Sequence, residues 1–306
     1  MAAGWRSIGL LCLATTLWGA SSAVLALIGA GVGATAPVAA GGAVVLIGLA
    51  AVCGDRPWRV FAADRRFYLL LGVLEAANLG LYLAALRLGP LPVVVALHLT
   101  APVLIILARI VRGRLPITLS VFLELALVGA GIVLVGAART GGSAPSAALI
   151  GCLLAVGSAA CVAGLIVLVA ANSAAQPTVS AAGSQLGVAA VFAAPLAVAA
   201  PPPNTAVLAL LATGALLLGP GFACYWWALR TADATTAGII GLNEAVVASL
   251  LGAVLAGTRL TPAALAGGAL VLGAVAVQNR FAPAIDGGWE RISRSLRTGK
   301  RRPPPS

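Results

Sequence analysis

The sequence predicts an all-α membrane protein of ten transmembrane helices, arranged as two inverted five-helix repeats. Three observations carry this. First, of 306 residues 61% are hydrophobic and only 9% charged, where a soluble domain runs to about a quarter charged. So little polar surface cannot wrap an apolar core in water. Second, the apolar residues form continuous runs, not the period-two alternation of a transmembrane β-barrel. Third, short motifs recur in the two halves of the chain at a nearly constant offset.

Polar breaks divide the chain into ten apolar runs, at about 7–29, 36–54, 67–86, 91–109, 117–137, 147–171, 178–199, 205–228, 234–256 and 261–281. Each is close to the ~20 residues that a helix needs to cross the hydrocarbon core. The first run continues apolar to Ile28, longer than the apolar stretch of a typical signal peptide. The run 178–199 is the weakest, since it holds Ser180, Ser184 and Gln185. Glycine pairs Gly29/Gly33 and Gly183/Gly187 have the spacing that lets helices approach closely.

The basic residues set the expected orientation. With the N-terminus inside, only Arg87, Arg139 and Arg259 of the 19 Lys and Arg fall in outer segments. Cytoplasmic loops are the basic ones, so ten spans with both termini in the cytoplasm of a plasma membrane is the expected topology. The net charge of +11 therefore belongs to loops and tail, and nucleic acid is not an expected partner. The tail 282–306 is basic and ends in Pro303-Pro304-Pro305. Trp289, Ile292 and Leu296 recur there at helical spacing, which fits either a cytoplasmic retention signal or a short interfacial helix.

The repeat rests on particular residues. Tyr82-Leu-Ala-Ala-Leu-Arg87 reads against Tyr225-Trp-Trp-Ala-Leu-Arg230, and Arg114-Leu-Pro116 against Arg259-Leu-Thr-Pro262. Each pair closes the third span, or precedes the fifth, of a five-span unit. Five is odd, so the second unit starts on the opposite face and runs inverted. The units are expected at 1–140 and 145–281, followed by the tail 282–306. Inverted repeats are the architecture of secondary transporters.

Ionisable groups inside the spans are the candidate site. A charge near the bilayer centre costs about 2.5–3.5 kcal/mol on insertion scales, so such residues face a bundle interior or a wet cavity. At about 1.5 Å per residue, Glu75, His98 and Glu244 lie roughly 12, 10 and 15 Å inside the membrane, all close to the midplane. Glu244 reads either as a partner for a substrate amine or coupling proton, or as a carboxylate satisfied by neighbouring helices. Glu75, Asn78 and Tyr82 share one face of span 3. His98 is the single histidine and titrates in the physiological range when unperturbed. Pro102, four residues on, removes a backbone hydrogen bond and opens the helix near His98, with Thr100 at hand to satisfy freed backbone. Gly219-Pro220-Gly221 marks a breakable helix at the corresponding place in span 8. Glu124 in span 5 lacks polar companions one turn away and reads as structural.

The sequence also excludes. The five cysteines have no metal-site spacing and one His cannot build a Cys/His zinc site, so neither metal nor cofactor is expected. There is no GxxxxGK[ST], HExxH or GxSxG, and an enzyme is not the expected class. An intramembrane enzyme or lipid-handling protein using the same acids is the alternative.

Taken with their order, Leu17-Trp18-Gly19, Leu99-Thr-Ala-Pro102 and Leu242-Asn-Glu-Ala-Val-Val-Ala-Ser-Leu-Leu251 resemble the motifs of the drug/metabolite transporter superfamily, in particular its ten-helix EamA-type exporters. The segment Gly89 to Pro102, with Asn78 upstream, is most similar to the homoserine/threonine exporter branch, although His98 stands where that branch has Glu. The resemblance implies export of a small metabolite such as an amino acid by alternating access. Its partners would be a small-molecule substrate, the lipid bilayer and, if the carboxylates and His98 carry them, protons. It adds Trp18 to the residues expected to bind substrate or couple transport. Facilitated diffusion and the oligomeric state stay open.

Overall fold

The computed structural model describes residues 5–89, 91–111, 145–232 and 234–256, with single helical positions between 126 and 130 and between 262 and 273. Most of the expected spans 117–137 and 261–281, Glu124, and the tail 282–306 lie outside the described residues. Every regular element among the described residues is helical.

The first half holds α1 (Trp5–Ile28), α2 (Thr35–Val52), α3 (Pro57–Ala63), α4 (Arg65–Leu88), α5 (Leu91–His98) and α6 (Ala101–Val111). The second holds α7 (Pro145–Asn172), α8 (Thr178–Ala199), α9 (Asn204–Thr213), α10 (Gly219–Ala228) and α11 (Ala234–Ala256). Six helical segments among the described residues are long and apolar enough to cross a membrane: Trp5–Ile28, Val32–Val52, Arg65–Leu88, Ser146–Ala175, Thr178–Ala199 and Asn204–Ala228. The chain is an integral, multi-pass α-helical membrane protein.

Helix ends follow local chemistry. The C-terminal turn of α1 closes at Gly29, whose φ of +66° is left-handed backbone that a Cβ disfavours. Arg87 Nη1 donates to the Gly29 carbonyl at 2.9 Å. The expected packing role of Gly29 is thus corrected: it makes a turn, while Gly33 and Gly183 make the close approaches. A Cβ on Gly33 would stand 1.8 Å from the Ala200 carbonyl oxygen, and one on Gly183 3.2 Å from the Ile47 nitrogen. The basic stretch after α2, read from sequence as a plain loop, carries α3, with Pro57 at its first turn, where a missing N–H costs nothing. The Asp64 side chain then caps α4, accepting from the Phe67 nitrogen at 3.4 Å.

Span 4 is interrupted where Pro102 requires it. Helix α5 ends at His98 and α6 begins at Ala101, because Pro102 has no N–H to offer the His98 carbonyl. The Leu97 carbonyl accepts from both the Thr100 N–H at 3.1 Å and the Thr100 Oγ1 at 2.6 Å. Span 8 is interrupted too, but as a π-turn over Gly214–Leu218 joining α9 to α10. The Gly219 N–H reaches back to the Gly214 carbonyl, five residues away, just before Pro220 removes the next donor.

Helix α2 lies along α8, α1 along α11 and α10, and α4 along α7 and α8, while α5 and α6 pack on α7. Apolar side chains such as Val44, Leu153, Val191, Leu208 and Val254 point outward, where lipid replaces water and hydrophobic side chains cost nothing. Polar groups are turned inward: Glu75, Asn78, Ser158, Gln185 and Glu244 are all buried.

Candidate functional site

Glu75 and Asn78 are one turn apart on α4, so their side chains meet. Glu75 is 0% exposed, and in a dry interior each polar atom without a partner costs several kcal/mol. The structure provides the partners. Asn78 Nδ2 donates to Glu75 Oε1 at 3.2 Å, and Gln185 Nε2 on α8 donates to Oε2 at 3.0 Å. Gln185 Oε1 in turn accepts from Trp226 Nε1 on α10 at 3.0 Å. On the other side, Ser158 Oγ on α7 donates to Asn78 Oδ1 at 2.6 Å and lies 2.8 Å from His98 Nδ1 at the end of α5. Six side chains from five helices form one continuous chain of hydrogen bonds: His98, Ser158, Asn78, Glu75, Gln185 and Trp226.

Tyr82, two turns beyond Glu75, extends the cluster. Its hydroxyl donates to Ser22 Oγ on α1 at 2.7 Å, and its ring lies 4.8 Å from the His98 imidazole, tilted by 47°. Glu244 is 5% exposed on α11, the helix whose Ala245 and Ala248 pack in one buried cluster with Tyr82 and Leu97. Among the described residues no hydrogen bond reaches the Glu244 carboxylate. The neighbouring Asn243 turns elsewhere, as the 100° step of a helix demands, and donates to Thr15 and Thr16 on α1 at 3.1 and 3.0 Å.

The Leu17-Trp18-Gly19 segment joins two helices to α1. Gly19 lets α1 touch α11 backbone to backbone: a Cβ there would stand 2.7 Å from the Glu244 carbonyl oxygen. Trp18 stacks against Phe222 at 5.1 Å and Tyr225 at 5.0 Å and fits over Gly221, where a Cβ would meet the indole nitrogen at 2.5 Å. Among the described residues the Trp18 Nε1 and the Ser21 hydroxyl are buried with no hydrogen-bond partner, one turn from each other on α1.

Of the six expected residues the structure joins Glu75 and His98 through Asn78 and Ser158 and sets the Tyr82 ring against His98; Trp18 is on the same face of α1 as Ser22, and Glu244 is on α11 next to Ala245, which packs in one cluster with Tyr82. Four members were missed: Ser22, Ser158, Gln185 and Trp226. Gln185 carries a signal in sequence, as an amide in an otherwise apolar run. Ser158, set among Gly, Ala and Val, carries none. Among the described residues no group of His, Cys, Asp and Glu could hold a metal ion.

Gln185 is the joint of the chain. Gln185→Leu removes the acceptor for Trp226 and one donor to Glu75, and each buried group so orphaned costs about 1–3 kcal/mol. The expected result is a clear fall in melting temperature of the detergent-solubilised protein, measured by fluorescence-detected unfolding. An unchanged melting temperature would mean that the three groups are not bonded as described.

Residues 149–280 match the EamA-like transporter family. The match covers less than half of the chain, and it is a likeness of that segment to a transporter family. A search among curated proteins gave no match. Among solved structures, one crystal structure of a protein is 22% identical, with a TM-score of 0.60, covering 92% of this chain and 98% of its own. At that identity the likeness is one of fold. The EamA-like match covers Ser158, Gln185, Trp226 and Glu244, so four of the buried polar groups described above lie in the matched region.

Proposed function

We propose that the chain is a secondary transporter that exports a small metabolite, such as an amino acid, across the bacterial plasma membrane by alternating access. Two inverted five-helix repeats rock about a site at the level of Glu75, His98 and Glu244, with proton antiport as the coupling. The single observation that carries this reading is the hydrogen-bonded chain linking His98 and Glu75 across five helices drawn from both halves. Costly polar groups persist in lipid chiefly where function requires them.

The helix pairings support the inverted repeat. Exchanging each span with its counterpart turns the α4–α7 contact into the α10–α1 contact, and the α1–α11 contact into that of α7 with α5 and α6, all of which are present. Spans 2 and 7 exchange with each other, and α2 does lie along α8. That is the pattern of a two-fold axis passing between them. The match at 149–280 falls within the second expected unit. Glu244 and Trp18 contribute the charge and the aromatic surface for substrate, and Asn78 and Tyr82 hold Glu75 and His98 in place. The similarity of the Gly89–Pro102 segment to homoserine/threonine exporters favours an amino acid.

The deciding experiment is counterflow. Purified protein in liposomes is expected to exchange a labelled amino acid against an internal pool, faster when an imposed pH gradient drives antiport. Exchange indifferent to the gradient would reject proton coupling. Chemical conversion of solute or lipid without exchange would favour an intramembrane enzyme instead.

Orientation has its own test. Cys53 is exposed at the end of α2, in the segment that carries Arg56, Arg59, Arg65 and Arg66. A membrane-impermeant maleimide is expected to label Cys53 in inside-out vesicles and not in intact cells. Labelling in intact cells would invert the proposed topology.

A further inference from the structure

The chain of hydrogen bonds has a direction, and the direction fixes the chemical state of its ends. An indole N–H can only donate, so Trp226 commits Gln185 Oε1 to accept and turns Gln185 Nε2 toward Glu75. Glu75 Oε1 accepts from Asn78 Nδ2, which leaves Asn78 Oδ1 as the oxygen facing Ser158. At 2.6 Å the Ser158 hydroxyl hydrogen must lie on the Asn78 side, where the Asn78 backbone carbonyl is a second acceptor at 3.1 Å. Ser158 has one hydrogen. Its contact with His98 Nδ1, at 2.8 Å, therefore has Ser158 accepting and Nδ1–H donating.

We infer that this network holds His98 with its proton on Nδ1, that Ser158 is the positioning residue that sets this tautomer, and that Nε2 is left as the nitrogen that takes up a proton or a substrate N–H. Every donor runs toward Glu75, from His98 through Ser158 and Asn78, and from Trp226 through Gln185. A proton arriving at Nε2 forms the imidazolium and disturbs nothing, because Nδ1–H stays on Ser158. A proton arriving at Glu75 would need an acceptor where amide N–H groups now point. Gln185 cannot turn over to supply one without bringing its own NH2 against the Trp226 indole N–H, and Asn78 can supply one only by giving up its 2.6 Å acceptor contact with Ser158. Glu75 thus orients the chain and His98 exchanges the proton.

The surroundings agree with a single exchange point. Among the described residues, the ionisable groups that α4, α7 and α11 bring to this region are Glu75 and Tyr82 on α4, Cys152 and Cys161 on α7, and Glu244 on α11. None of them is a cation. Tyr82 commits its hydroxyl hydrogen to Ser22 and offers His98 its ring. Only Glu244 among them is an acid without a hydrogen bond from the described residues.

The tautomer is independent of transport; only its use as the coupling nitrogen rests on the proposed proton antiport. The test exploits the single histidine. In protein labelled with 15N-histidine and held in nanodiscs, long-range 1H–15N correlation reports one imidazole. The expected wild-type pattern is Nδ1–H with an unprotonated Nε2 at high pH, and protonation at Nε2 as pH falls. Ser158→Ala is expected to release this lock and populate the Nε2–H form.

Glu75→Gln is expected to act through the chain. Trp226 still fixes Gln185, so the new amide must turn its oxygen to Gln185 and its NH2 to Asn78. Asn78 then turns over and donates to Ser158, whose hydrogen is shared between the Asn78 backbone carbonyl at 3.1 Å and His98 Nδ1 at 2.8 Å, so part of the population gains Nε2–H. An Nε2–H wild type, or a lock that survives both substitutions in folded protein, would overturn the inference and leave the transporter reading untouched. A failure of counterflow with the tautomer as described would do the reverse.

Discussion

Glu244→Gln is expected to slow exchange of solute in liposomes by about 100-fold while leaving expression, detergent extraction and melting temperature near those of the wild type. The expectation follows from position and partners. Glu244 is buried at mid-span on α11, against the Gly19 turn of α1. No described residue donates a hydrogen bond to its carboxylate. A carboxylate that served only the fold would be bonded as Glu75 is, through both oxygens. Removing one member of a buried charge pair costs about 2–5 kcal/mol, and about 2.7 kcal/mol is a factor of 100. Glutamine keeps the shape and removes the charge. A substrate ammonium or coupling proton would therefore lose its partner, while packing would survive. Retention of wild-type exchange in Glu244→Gln would make Glu244 structural. A folded protein that binds substrate but no longer responds to a pH gradient would assign Glu244 to the proton alone.

The contrast between Glu244 and Glu75 explains how far the sequence could be read. The extent of the helices was legible, because the apolar runs have sharp edges. The runs expected at 178–199 and 234–256 are the helices Thr178–Ala199 and Ala234–Ala256. The shared face of Glu75, Asn78 and Tyr82 was legible from helical periodicity, and the break near His98 from the chemistry of Pro102. What the sequence could not supply was the partner across each interface. Ser158 lies 80 residues from Asn78 and Gln185 lies 110 from Glu75, and nothing local ties them. The short helix α3 was hidden by its arginines, which read as loop. The π-turn at Gly214–Leu218 was anticipated only as a weakness at Gly219-Pro220-Gly221. Its form depends on α2 lying against it, a property of the packed bundle.

That packing gives the largest expected effect on stability. Helix α2 and the π-turn meet through glycines on both sides, with no side chain between them. A Cβ on Gly41 would stand 2.0 Å from the Leu211 carbonyl oxygen, and one on Gly214 1.9 Å from that of Val38. Both obstacles are backbone, which cannot rotate away as a side chain can. Membrane helices have no hydrophobic driving force to hold them together once separated, so close backbone approach is itself the source of their association. Gly41→Ala and Gly214→Ala are each expected to destabilise the protein by about 3 kcal/mol, the upper part of the range for overpacked sites. The effect would be read as loss of the monodisperse species on heating in detergent.

Gly48, two turns along the same helix, is the matched control. A Cβ there meets nothing within 4 Å, so Gly48→Ala should leave the melting temperature unchanged, or raise it by up to the ~1 kcal/mol that alanine gains over glycine in a helix. Equal tolerance at Gly41 and Gly48 would mean that α2 does not touch α9 at Leu211. The Glu244 variant and the glycine variants would then separate the two demands on this fold. Glycine contacts hold α2 against α9 and α10, and the polar chain that begins at Trp226 on α10 depends on that seating to reach Glu75. An alanine at Gly41 or Gly214 should therefore also disturb the His98 resonance, although neither residue touches the imidazole.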